Sequence, residues 1–262
     1  MPSDIAILIP SHIKSLKQID YLKQCLNSLI NQTYTADILV SISFEAPYGA
    51  HLNFAEFPQV RFIVSDSQKY QMEHLYVLSH HISPYKLIMF CDDDDTYELT
   101  RVETFNEYFN ETPSVIGIRE KSVLSHEVAE YWAYGIIPSI LADFYDKMSN
   151  NMGLLQHKFA DVYFRNFLFL TRNKLFVTFT APLYNYTMTN PNSICTVNKQ
   201  NTSIEDDIIL VAKNPDDNVF EKFIKDLVLS KNANKKLELM NIIATMDPLI
   251  QEIRSLLPKL YA

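Results

Sequence analysis

Leu87-Ile88-Met89-Phe90-Cys91-Asp92-Asp93-Asp94-Asp95 is the stretch on which the fold turns. An uninterrupted apolar run suits a strand buried on both faces, the kind found in parallel sheets, and this one runs straight into four carboxylates. In open parallel sheets ligands bind beyond the carboxyl ends of the strands, so an acidic run there marks a candidate site. Upstream, Ile5 to Ile9 is a second buried strand, closed by Pro10-Ser11. Leu16, Ile19, Leu22, Cys25, Leu26 and Leu29 follow at three- and four-residue spacing, the stripe of an amphipathic helix. Ile38 to Ile42 returns to strand character and completes a βαβ unit. Val60 to Val64 reads as a further strand and Tyr70 to His80 as the helix leading back to Leu87. On this reading Pro10-Ser11, Ser43 to Glu45 and Asp92 to Asp95 all lie at strand ends. The expected class is α/β, a mixed sheet flanked by helices.

Beyond the aspartates the pattern predicts a helix near Leu99 to Phe109, a strand at Val115 to Ile118, and helices from about Glu127 to Lys147 and from Leu155 to Leu170. From Ile204 onward Lys, Glu, Leu and Ile recur at helical spacing. Pro215-Asp216-Asp217 reads as a helix start, and Glu205, Asp206 and Asp207 suit a first helical turn, where negative charge is favoured. Residues 1–200 are therefore expected to form one domain and residues 201–262 a helical C-terminal appendage.

A chain of 262 residues can bury one sizeable core, and 47% apolar with 21% charged residues is ordinary globular composition. The net charge of −8 supplies no positive field for a phosphate backbone, so nucleic acid is not an expected partner. A small anionic ligand would need local cations, helix N-termini or a metal. Cys25, Cys91 and Cys195 are far apart with no CxxC pair, which fits a reducing compartment. MPSDIAILIP does not read as a signal peptide, so a cytoplasmic location is expected. NFLFLTRNKLFVTFTAPLY is broken by Arg172, Asn173 and Lys174, short of the ~20 apolar residues that span a bilayer, so no transmembrane segment is expected. The only glycines are Gly49, Gly117, Gly135 and Gly153; neither a G-x-G-x-x-G turn nor a Walker loop can be built from them. That argues against dehydrogenases and P-loop NTPases. A homodimer is left open.

Four consecutive carboxylates at a buried strand end repel one another unless a positive charge sits among them. A hard divalent cation, Mn²⁺ or Mg²⁺, takes oxygen ligands and often binds through one or two carboxylates plus substrate phosphate. Alternation along an extended segment places Asp92 and Asp94 on one side, facing a ligand, with Asp93 or Asp95 turned to solvent or a helix N-terminus. Asp93 is the close alternative to Asp94, and a solvated acidic turn is the plainer account of the run. Tyr131-Trp132-Ala133-Tyr134 can stack on an acceptor sugar or serve as core.

Taken together, these segments resemble the family 2 glycosyltransferases, inverting enzymes of the GT-A fold. IAILIPSHIKSLKQIDYLKQCLNSLINQTYTADILVSIS is similar to their first βαβ unit, through Tyr21-Leu22, Cys25-Leu26, Ser28-Leu29 and Gln32-Thr33-Tyr34. LIMFCDDDDTYEL resembles their metal-binding strand, a DXD motif, and APLYNYTMTNPNSI a later segment, so that the likeness covers residues 3 to 195. The resemblance implies a nucleotide-sugar donor, expected to be UDP-linked, and an acceptor hydroxyl on a glycan, lipid-linked or protein acceptor that the sequence does not identify. Pro10, Ser11 and His12 would line the base, Asp92, Asp93 and Asp94 would meet ribose and metal, and Lys69, Gln71 and His74 would wall the nucleotide pocket. Where the family commonly places an acid after the second strand, this chain has Ser43, with Glu45 close behind. Either the glutamate substitutes or backbone groups hold the base.

The resemblance also implies a catalytic base on a later helix, and HKFADVYFRN offers Asp161. An inverting transfer needs a carboxylate within hydrogen-bond reach of the acceptor hydroxyl, and Asp161 sits amid apolar Phe159, Val162, Tyr163 and Phe164. The alternative is that Asp161 pairs with Arg165 at helical spacing. Two other classes remain in view: a nucleotidyltransferase, which would carry a Gly-rich basic loop where this chain has PSHIKSLKQ, and a non-catalytic nucleotide-sugar or cation-binding module.

Overall fold

The computed structural model describes residues 3–121, 129–187, 203–229 and 233–262. The chain divides into two compact units, Met1–Thr189 and Asn190–Ala262. The expected boundary at residue 200, Cys195 and the end of APLYNYTMTNPNSI lie outside the described residues.

The first unit is built on a mixed sheet of seven strands in the order β3-β2-β1-β4-β7-β6-β8. The first four are β1 (Ile5–Ile13), β2 (Asp37–Phe44), β3 (Val60–Val64) and β4 (Leu87–Phe90). They are parallel, and the crossover helices are α1 (Leu16–Ile30) and α2 (Gln71–Ser79). Ile5, Ala6, Ile7, Leu8 and Ile9 are almost fully buried, as are all residues of β4, as a strand covered on both faces requires. α1 begins at Ser15, whose side chain accepts the Gln18 N–H, and buries Ile19, Leu22, Cys25, Leu26 and Leu29, the stripe predicted.

Strand β1 outlasts its neighbour. Its pairing with β4 ends at Leu8–Phe90, whereas pairing with β2 continues to Ile13–Phe44. The Leu8 carbonyl accepts the Cys91 N–H at 3.1 Å, and Pro10, two residues on, turns the same backbone edge toward a side where no strand follows. A residue without an N–H costs no ladder bond there. Pro10-Ser11 therefore lies inside the strand rather than closing it.

The second half of the sheet is shorter and partly antiparallel: β6 (Gly117–Glu120) pairs antiparallel with β7 (Tyr134–Ile136) and parallel with β8 (Phe176–Phe179). β7 joins β4 antiparallel. A two-stranded sheet of β5 (Thr96–Tyr97) and β9 (Tyr184–Asn185) sits after the aspartates. The helices here are α3 (Arg101–Glu111), α4 (Pro138–Met148) and α5 (Asp161–Arg172). The single helix expected over 127 to 147 is instead a 3-10 turn at Tyr131–Ala133, the strand β7, and α4. Pro138 is the cause: it holds Ile137 extended (φ −66°, ψ 144°) and starts α4, because the residue before proline avoids the helical region. Likewise residues 149–155 form a 3-10 segment and α5 starts only at Asp161.

The second unit contains the helices Ile204–Ala212, Asp217–Val228 and Ala233–Tyr261. Ser203 and Asp216 cap the first two, and Glu205, Asp206 and Asp207 occupy a first turn as expected. No helix among the described residues is long and apolar enough to cross a membrane.

Candidate active site

In the strand order 3-2-1-4 the chain winds outward from β1 through β2 to β3, then returns to the other side of β1 to form β4. That reversal opens a crevice between the carboxyl ends of β1 and β4. The Ser11 hydroxyl donates to Asp93 Oδ2 across it at 2.6 Å.

The aspartates form a turn rather than an extended segment, with Asp95 N–H donating to the Asp92 carbonyl at 3.2 Å. The alternation expected of Asp92 and Asp94 against Asp93 and Asp95 is therefore lost. Asp92 Oδ1 accepts from Gln71 Nε2 at 2.9 Å and from the Tyr131 hydroxyl. Gln71 also donates to that hydroxyl at 3.0 Å. Asp95 is fully buried and faces neither solvent nor a helix N-terminus. Its Oδ2 accepts the Tyr184 hydroxyl and its Oδ1 the Thr187 N–H, both at 2.7 Å. Asp92, Asp93 and Asp94 remain half-exposed.

Burial, and after it the Asp95 charge, pushes the Asp92 carboxyl well above the usual range. Burial and the neighbouring Asp94 charge push Asp93 and Asp95 up to about 7, against the opposing hydrogen bonds from Ser11 to the one and from Thr187 and Tyr184 to the other. No basic side chain is among the leading influences on any of the three. Hard oxygen donors whose ionisation is disfavoured by burial and by one another fit a divalent cation, whose charge would favour the ionised form. Among the described residues no three His, Cys, Asp or Glu side chains enclose a metal position. Binding through two carboxylates completed by phosphate needs no such cage.

The first βαβ unit buttresses this turn. The Ser28 hydroxyl accepts the Tyr97 N–H at 3.2 Å, and Gln32 donates to the Glu98 carbonyl at 2.9 Å while accepting the Val102 N–H at 3.1 Å. Thr33 N–H donates to the Leu99 carbonyl at 3.0 Å. These motif residues fix the backbone just after the aspartates. Beneath it, the Cys25 and Cys91 sulfurs lie 3.7 Å apart, and both thiols are pushed up.

At the β2 side, His12 Nδ1 lies 2.8 Å from the Ser43 hydroxyl, which lies 3.0 Å from His74 Nε2. His74 Nδ1 lies 2.8 Å from the Ser41 hydroxyl. Ser43 and His74 are 0% and 1% exposed, so their side chains stand behind His12 instead of at the surface. Pro10 is buried too. His12 is half-buried, Glu45 exposed and Lys69 half-buried, and His12 Nε2 lies 3.8 Å from Glu45 Oε1.

Asp161 opens α5 and is half-buried. Its charge is one of those that raise the Tyr131 phenol, after burial and Asp92, which puts it within electrostatic reach of the group bonded to Asp92. Arg165, the alternative partner, is paired with Glu130 at 3.3 Å.

The pattern did not assign Tyr131 and Tyr184 to the aspartates. Tyr131 belongs to an aromatic group for which the sequence allowed either core packing or stacking on an acceptor sugar. Trp132 stacks on Tyr184 (centroids 4.1 Å, 14° between planes), and Tyr186 follows at 6.0 Å and 22°. Tyr131 and Tyr184 lie 39 and 89 residues from the aspartates they bond, beyond any local spacing rule. The resemblance to APLYNYT was the one signal near Tyr184.

The fold is that of the GT-A type, an α/β Rossmann-like mixed sheet flanked by helices, as the resemblance implied. Among solved structures, Staphylococcus aureus TarS residues 1-349 in complex with UDP-GlcNAc is similar, with TM-score 0.58 and 11% identity over 100% of this chain and 90% of that one. The UDP complex of the same protein gives 0.55 and 11% over 100% and 89%. A cytidylyltransferase from Leptospira borgpetersenii serovar Hardjo-bovis gives 0.50 and 13% over 94% and 96%. No family model and no curated protein matches the chain.

Proposed function

We propose that the chain is a metal-dependent, inverting glycosyltransferase that moves a sugar from a UDP-linked donor to an acceptor hydroxyl. The observation that carries this reading is the acidic turn at the β1–β4 crevice, with three carboxyls pushed up and no basic side chain among the leading influences on them. Asp92 and Asp94 would hold Mn²⁺ or Mg²⁺, whose charge offsets the departing diphosphate. Gln71 and Tyr131 orient the Asp92 carboxylate, and Ser11 orients Asp93. His12, Glu45 and Lys69 flank the nucleotide. Asp161 takes the proton from the acceptor hydroxyl as that oxygen attacks the anomeric carbon. The likeness to a fold that holds UDP-GlcNAc in TarS supports a nucleotide-sugar donor.

UDP should raise the melting temperature only when Mn²⁺ or Mg²⁺ is present, and Asp94→Asn should abolish that shift. An undiminished metal-dependent shift in the variant, or a full shift in EDTA, would sink the assignment. Slow donor hydrolysis, followed by UDP release over hours, should drop at least tenfold in Asp161→Asn, within the 10²–10⁴-fold range of general-base contributions only if the acceptor is also supplied.

Nucleotidyl transfer is the second reading, favoured by the cytidylyltransferase likeness and opposed by the glycine-free stretch PSHIKSLKQ after the start of β1. Release of pyrophosphate from CTP, with no UDP released from UDP-sugars, would select it.

A further inference from the structure

Behind His12 runs a chain of four side chains, Ser41, His74, Ser43 and His12, and hydrogen bookkeeping gives it one direction. Ser41 is 0% exposed, and the one side-chain partner of its hydroxyl among the described residues is His74 Nδ1 at 2.8 Å. A buried hydroxyl that donates to nothing is costly, so Ser41 donates and Nδ1 accepts. Burial lowers the His74 pKa to about 3, so the ring is neutral and carries its proton on Nε2. Nε2–H then donates to Ser43 Oγ at 3.0 Å. Ser43 Oγ also receives the Lys69 N–H, at 3.4 Å. With both lone pairs engaged, the Ser43 hydroxyl donates its own hydrogen to the remaining neighbour, His12 Nδ1, at 2.8 Å.

His12, whose pKa burial lowers, is neutral at pH 7 and must therefore carry its proton on Nε2. That nitrogen is itself buried and has no hydrogen-bond partner among the described residues; Glu45 Oε1, 3.8 Å away, is beyond hydrogen-bond range. The opposite direction, with His12 Nδ1–H donating toward Ser43, is favoured by the Ser43 carbonyl but strands the Ser41 hydrogen inside the sheet. The first direction leaves one buried group without a protein partner, the His12 Nε2–H, and the opposite direction leaves two, the Ser41 hydrogen and the Nε2 lone pair, so satisfaction selects the first.

We infer that Ser41, Ser43 and His74 are positioning residues that lock His12 as its Nε2–H tautomer, so that the site offers a fixed donor beside the Glu45 carboxylate, matched to the carbonyl and N–H of a uracil edge. The uracil part rests on the donor proposed above; the tautomer part does not. Together they explain how Ser43 stands where an acid was expected: the acceptor moves to Glu45 and the donor is supplied by His12.

The test uses the 262-residue chain labelled with ¹⁵N-histidine, with long-range ¹H–¹⁵N spectra at about pH 7.5 and no ligand. His12 should be a single Nε2–H tautomer, and Ser41→Ala should convert it to a mixture of tautomers while the melting temperature confirms that the variant is folded. A wild-type His12 protonated on Nδ1, or an unchanged ratio in folded Ser41→Ala, overturns the inference, and the wild-type spectrum alone suffices should the variant not fold. UDP with Mg²⁺ should then bind Ser41→Ala about fivefold more weakly than wild type, the worth of one net hydrogen bond. The diphosphate of 3-methyluridine, which lacks the N–H, should bind the wild type at least about fivefold more weakly than UDP. Equal binding of the two probes, or no UDP binding with the tautomer as assigned, overturns the uracil edge and the donor reading respectively, leaving the relay standing.

Discussion

Asp93 and Asp95 carry opposite duties from the same turn, one bonded to Ser11 at the crevice and the other sealed against Tyr184 and Thr187. Both are pushed from 3.8 to about 7. A carboxyl raised on folding stabilises fully below its unfolded value and loses that contribution as pH rises through its folded one. His74, lowered from 6.5 to about 3, runs the other way: its contribution is full above 6.5 and is lost as pH falls toward 3. The two oppose each other between 3.8 and 6.5. Above 6.5 only the carboxyl effect remains. Without divalent ions the melting temperature should fall between pH 6.5 and 8, and Mg²⁺ should reverse the fall because it binds the ionised form. A flat metal-free profile over that interval would contradict the raised carboxyls. At this scale the sequence was informative about which residues gather and silent about how. The composition and position of Asp92 to Asp95 marked the site, yet the turn that breaks their alternation depends on partners such as Tyr184 that no local window contains.

Between elements, the second half of the sheet is held by tight approaches and one buried ion pair. A Cβ on Gly117 would run into the Gly135 carbonyl oxygen and lie 2.9 Å from the Phe176 ring, whereas at Gly153 it would meet nothing within 4 Å. Gly117→Ala should cost about 2 kcal/mol or more from overpacking and Gly153→Ala should change stability by less than about 1 kcal/mol, a contrast that denaturant midpoints can measure. Arg101 Nε donates to Glu120 Oε2 at 2.8 Å, both side chains being essentially buried, and its guanidinium stacks 4.1 Å over Tyr97. Glu120 Oε1 also accepts the N–H groups of Leu183 and Tyr184. Glu120→Ala strands a buried cation and two donors, so a loss of about 3–5 kcal/mol is expected. Should denaturant midpoints move by less than about 1 kcal/mol, the pair is dispensable. β1 to β4 were legible because each is a short apolar run separated from the next by a helical stripe or turn residues. β7 was hidden inside an apparently helical window until Pro138 divided it, and β8 escaped because an edge strand exposing Thr178 has little periodicity to show.

The whole molecule divides its labour unevenly. Every candidate donor and proton-transfer residue, from Pro10 to Asp161, falls within Met1–Thr189. A fragment of residues 1–189 should therefore fold and keep the metal-dependent response to UDP; loss of the response in a folded fragment would give the helices from Ile204 onward a part in binding. The helical character of that unit was plain from its composition and caps, while the end of the first unit was not, because nothing in the local sequence announces that Leu183 to Thr187 belongs with Asp95 and Glu120. That last attachment also has a history in time. On the ribosome, Thr187 emerges 92 residues after Asp95, roughly 5–20 s at ordinary elongation rates. For that interval the acidic turn has neither the Tyr184 hydroxyl nor the Thr187 amide to close it. The nascent sheet can assemble early, but the pocket is a late product of synthesis, completed only when the chain's own tail end of the unit arrives to finish it.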